Sequence, residues 1–110
     1  MTKRMTTNYS IRQDLIAKIG DALGHPARVL ICSQISEASE EGLCFSEIWD
    51  KIPLAKATVS QHITVLKNAG LLTAREARPK TYYTINKENW ETYCSLFNDF
   101  LFDVAKKRKK

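Results

Sequence analysis

Apolar side chains recur along this chain at two different periods, and the changes of period mark its elements. Ile11, Leu15 and Ile19 fall four residues apart with Ile16 beside them, the spacing that lines one face of a helix. Ser10 and Gln13 have the form of a capping box at its start, and the helix is expected to reach Leu23 and stop at Gly24. His25-Pro26 opens a second helix, proline being tolerated at the first helical position. It runs to about Ile35 and is expected to bury Val29, Leu30 and Ile31 in part. Leu43-Cys44-Phe45 has the length of one short strand, able to pair with strands further on. Ser46 to Ile52 predicts a short helix, and Pro53-Leu54 turns the chain into the next. From about Lys56 to Ala69 the residues Val59, Ile63, Leu66 and Ala69 form one apolar stripe, ended by Gly70. The pattern then becomes extended. Leu72 to Glu76 and Thr81 to Ile85 are short runs, the second rich in β-branched and aromatic residues. Ala77-Arg78-Pro79-Lys80 makes the turn between them. A last helix, from about Lys87 to Lys106, carries large apolar side chains at helical spacing.

The polar face of the Lys56–Ala69 helix is unusual. Opposite the apolar stripe lie Ala57, Ser60, Gln61, Thr64 and Asn68, with Thr58 and Lys67 at the margins. None is acidic, although 26% of the chain is charged, and a solvated helix face is ordinarily dense in Lys and Glu. Hydroxyls and amides framed by Lys56 and Lys67 suit hydrogen bonding to base edges in a DNA major groove, where Gln reads adenine and Ser or Thr donates or accepts. A bland polar helix would look the same on this face alone. The basic turn that follows decides between them, because a polar helix leading into two strands with a basic tip is a helix-plus-wing unit.

At this point the chain resembles the winged-helix repressors of the ArsR/SmtB family. The resemblance rests on "DALGHPARVLI" (Asp21 to Ile31), "LCFSEI" (Leu43 to Ile48), "ATVSQHITVLKNAGLL" (Ala57 to Leu72) and "ARPKTYYTI" (Ala77 to Ile85). It implies a mainly α winged helix-turn-helix of about five helices with a small antiparallel β-wing. It also implies a homodimeric repressor on a roughly palindromic double-stranded operator. Face geometry and resemblance together place Ser60, Gln61 and Thr64 at base edges. Lys56, Thr58, His62 and Lys67 would then lie at the DNA backbone, and Arg78 and Lys80 would anchor the wing. His62 sits near the edge of the apolar stripe, so a partly buried structural role is the alternative; His25, before a proline at a helix start, reads as structural. Ala55 stands where the family usually places a Ser or Thr cap. In the family the first and last helices form the dimer contact. Here that assigns Leu15, Ile19, Trp90, Tyr93, Phe97, Phe100, Leu101 and Val104 to it. The last-helix part is a stripe larger than a small domain needs on its terminal helix, packing against its own domain alone being the alternative.

Charge supports a polyanionic partner through its distribution more than its net +5. Residues 56–84 hold five basic side chains against one acidic, whereas residues 31–55 hold one basic against five acidic. Basic side chains that cluster on one unit displace counterions from phosphates. At 110 residues, 44% of them hydrophobic, the chain reads as one domain over 1–105 with a disordered basic tail at 106–110. It has no secretory signal and no membrane-length apolar run, which together with the cysteines points to the cytoplasm. The three cysteines, Cys32, Cys44 and Cys94, are odd in number and widely spaced, against a disulfide framework.

Many members of the resembled family sense metals, and this chain departs from their ligand patterns: Cys44 is alone near the third helix, and the last helix has no histidine. No metal or cofactor is expected. Others form a disulfide between the second and last helices, where Cys32 and Cys94 lie; two small buried hydrophobes are the alternative. Nothing in the chain has the form of a phosphate loop or a catalytic triad, so no enzyme activity is expected. A winged helix used purely for protein interaction is the competing reading.

Overall fold

The computed structural model describes residues 8–107. Its elements are α1 (Ile11–Ala22), α2 (Pro26–Ser36), β1 (Leu43–Cys44), α3 (Phe45–Trp49), α4 (Lys56–Asn68), β2 (Leu72–Ala77), β3 (Lys80–Ile85) and α5 (Lys87–Lys107). Five helices and a small antiparallel sheet agree with the expected winged helix-turn-helix. Lys106 and Lys107 continue α5; the rest of the expected basic tail, 108–110, lies outside the described residues.

Local chemistry fixes the helix starts. The Ser10 hydroxyl accepts from the Gln13 N–H and the Gln13 side chain accepts from the Ser10 N–H, both at 3.0 Å, which completes the expected capping box. His25 caps α2 by accepting the Ala27 N–H on Nδ1 at 3.0 Å, with Pro26 in the first turn. At α3 the Glu47 carboxylate accepts the Cys44 N–H at 2.9 Å, and that bond holds its pKa below the ordinary carboxylate range. Ala55 leaves α4 without a side-chain cap.

The core gathers one face from each of the first four helices. Ile31, Ile48, Val59, Leu66 and Leu71 are fully buried, with Ile19, Ile35 and Ile63 around them. The α4 stripe of Val59, Ile63, Leu66 and Ala69 is buried as its spacing requires. On α2 the expectation needs correction. Ala27, Ile31 and Ile35 define the inward face, and Val29 and Leu30 are exposed. At roughly 100° per residue they lie about 160° and 100° from the centre of that face. An unbroken apolar run cannot tell which of its members faces inward; the four-residue spacing of the buried three does.

Leu43-Cys44 pairs antiparallel with β3, opposite Tyr83 and Tyr82, so the sheet order is β1-β3-β2. Gly42, at φ +82°, lets the chain enter β1 against the Tyr83 carbonyl, into which a Cβ would collide. The wing hairpin runs in register from Leu72 opposite Ile85 to Ala77 opposite Lys80. None of the described helices is long and apolar enough to cross a membrane.

Candidate nucleic-acid interface

The neutral ridge of α4 faces outward. Ser60, Gln61, Thr64 and Asn68 are exposed, as are Lys56 and Lys67, and Thr58 is half-buried. The Thr64 hydroxyl donates to the Ser60 carbonyl at 3.0 Å, which fixes its rotamer and turns its lone pairs into outward acceptors. The Lys56 ammonium stands 5.6 Å from the centre of the Trp49 ring, a cation–π contact that tethers it at the mouth of the helix.

At the wing tip Arg78, Pro79 and Lys80 are exposed. Arg78 lies 3.8 Å from Glu76, both side chains in solvent, a pairing worth little and easily exchanged for a phosphate. Arg75 differs. Its guanidinium donates to the Glu41 carbonyl at 3.3 Å and lies over the Tyr82 ring at 5.0 Å, so it braces the base of the wing.

His62, expected at the DNA backbone, is turned into the subunit. It is 9% exposed and its ring lies 4.5 Å from that of His25. Its Nε2 is buried without a hydrogen-bond partner among the described residues. Burial, then the neighbouring His25 and Arg28, hold its pKa below the ordinary histidine range. The reason is rotational: His62 is three residues after Val59 and four before Leu66, and so belongs to the buried stripe.

The structure adds a joint that side-chain patterns did not reveal. Three side chains of α5 hold three successive carbonyls where α4 ends. Tyr93 Oη donates to Ala69 at 3.4 Å, Asn89 Nδ2 to Gly70 at 2.9 Å, and Trp90 Nε1 to Leu71 at 2.9 Å. The Asn89–Gly70 contact spans 19 residues of sequence, beyond the reach of any local spacing pattern. The joint also divides the expected dimer stripe. Ile19 belongs to its own subunit's core, being buried there, and Trp90, Tyr93 and Phe97 pack against that core. Leu15 is half-buried. Phe100, Leu101 and Val104 remain exposed, joined by Phe102 at 62% and, on α1, Ile11 at 78%.

Cys32 is buried, and burial pushes its thiol up to about 11; Cys94 is exposed on α5. They line different hollows, Cys32 with Leu23 and Val29, Cys94 with Glu91 and Asn98. Among the described residues no group of three or more His, Cys, Asp or Glu side chains is placed to hold a metal ion.

Comparison with known proteins agrees with this architecture. Residues 25–74 match the bacterial regulatory protein, arsR family. An uncharacterised HTH-type transcriptional regulator of Methanocaldococcus jannaschii is 32% identical over 69 residues, 63% of this chain and 75% of that protein. The chain belongs to the ArsR family. As an ArsR-family transcriptional regulator it stands among regulatory proteins, not enzymes. An uncharacterised HTH-type regulator of Bacillus subtilis is 40% identical over 47 residues, 43% of this chain and 47% of that protein. The chain thus spans about half the length of that relative. The homodimeric winged helix-turn-helix DNA-binding domain of a possible ArsR-family regulator from Mycobacterium bovis superposes with a TM-score of 0.63. That match, at 24% identity, covers 94% of this chain and 93% of the other, and it supports the fold.

Proposed function

We propose that this ArsR-family regulator is a homodimeric repressor that binds double-stranded DNA sequence-specifically and occludes a promoter. The observation that carries the reading is the exposed, acid-free ridge of Ser60, Gln61 and Thr64 between Lys56 and Lys67. In this reading α4 enters the major groove, Gln61 and the two hydroxyls meet base edges, and Lys56, Thr58 and Lys67 hold phosphates. Arg78 and Lys80 bring the wing to the flanking backbone or minor groove. The exposed end of α5 with Ile11 supplies the contact between subunits. A two-fold dimer sets two recognition helices about one DNA turn apart, and the homodimer of the mycobacterial neighbour supports this assembly.

The test is selection of bound sequences from a random duplex pool. The expected product is a pseudo-palindrome whose half-sites are about ten base pairs apart. Gln61→Ala should lose sequence preference more than raw affinity. Lys80→Ala should weaken binding to all sequences and reduce the salt slope by about one. If no sequence is enriched and both variants behave as wild type, the domain is an interaction module instead.

A further inference from the structure

We infer that the His25–His62 contact is a proton-sensitive latch that seats the recognition helix, so that acidification loosens α4 and weakens binding to DNA. The second half rests on the DNA-binding reading; the latch itself does not.

Four observations carry it. His62 is the buried polar side chain of α4, and it lies against α2. His25 Nδ1 is committed as the acceptor of the Ala27 N–H, so a proton on that nitrogen would remove the α2 cap. His62 Nε2 is buried with no acceptor in reach among the described residues, and the Nε of Arg28 is likewise buried and unpartnered. The charged and titratable groups acting on His62 are His25, the N-cap of α2, and Arg28 within α2, and both disfavour its charged form; α3 and β2, also packed on α4, add none. An imidazolium here would carry a buried Nε2–H with no acceptor, and no carboxylate would offset its charge. Seating therefore requires neutral His62.

The sign follows from linkage. A histidine whose pKa is lowered on folding leaves the seated state at full stability above about pH 6.5, the ordinary histidine value. Stability is lost as pH falls from there through the lowered folded value. Simple electrostatics gives the opposite result for the complex, since a histidine at the phosphates gains a proton and tightens binding in acid. The pH dependence of affinity thus separates a latch from a backbone contact.

The experiment uses the full chain and a fluorescent random-sequence duplex of about 30 base pairs, at constant salt, between about pH 7.5 and about pH 5.5. We expect wild-type affinity to fall about threefold or more. In His62→Gln it should stay level or rise, and His25→Asn, which keeps a capping side chain, should show a smaller fall than wild type. In parallel, the ring protons of the two histidines are titrated by NMR, and amide exchange along α4 is followed over the same range. His62 should titrate below the ordinary range, and α4 should lose protection in acid in wild type but not in His62→Gln. Wild-type affinity that rises in acid, or an α4 whose protection ignores pH, overturns the latch, and neither measurement needs a variant that folds. If no duplex binds at any pH while α4 still loosens in acid, the latch stands and the DNA-binding reading fails.

Discussion

The joint between α5 and the end of α4 can be tested by a double-mutant cycle on Gly70 and Asn89. Gly70 sits at φ +79°, and a Cβ built there would come 2.8 Å from Asn89 Nδ2. That is the same atom that donates to the Gly70 carbonyl at 2.9 Å. Gly70→Ala alone should cost about 1 kcal/mol for the left-handed backbone, after allowing for the more restricted unfolded chain. The methyl also pushes the amide off its carbonyl, losing about 1 kcal/mol more for the bond. Asn89→Ala alone loses that same bond. In the double variant the bond is lost once and the collision is gone, so the cost should be about 1 kcal/mol less than the sum of the two singles. The helix-propensity change at position 89 cancels round the cycle. Urea unfolding at fixed protein concentration, with unchanged m-values, gives the four free energies. Additivity to within ~0.3 kcal/mol would refute the account, since it would mean that the two groups are not in contact.

Two further predictions concern the helix start and the thiols. Ala55, extended at φ −63° and ψ 148° with no side-chain bond, should accept serine, and Ala55→Ser should stabilise the domain by about 1 kcal/mol in thermal unfolding. Under native conditions near neutral pH, iodoacetamide should modify Cys94 first. Cys32, buried with its thiol held up at about 11, reacts through the scarce thiolate and should be labelled on unfolding; mass spectrometry of timed samples reads the order.

The helices, the wing and the exposed ridge were legible because each is a short-range property. Four-residue apolar spacing put Val59, Ile63 and Leu66 on the buried face of α4 and so turned Ser60, Gln61 and Thr64 outward. Ser10 with Gln13 marked the start of α1, and a proline turn between extended runs marked the hairpin. Leu43-Cys44-Phe45 reads as a short strand; Leu43 and Cys44 do pair with β3, whereas Phe45 opens α3 because Glu47 caps the Cys44 N–H.

Where a residue lay at the margin of a face, the sequence left it undecided and packing settled it. His62 is rotated only about 60° from Val59, and its ring packs inward against His25 at the N-cap of α2. Val29 and Leu30 lie in an apolar run that helical spacing alone can orient only through its partners. Trp90 and Tyr93 read as interface side chains until the carbonyls of Ala69 and Leu71 claim their polar ends. Sequence by itself determined which segments form helices or strands and which polar face lacks acid, because those follow from neighbours within one or two turns. Only the tertiary structure decided which cations and rings are free for a partner, because that depends on what approaches from distant parts of the chain.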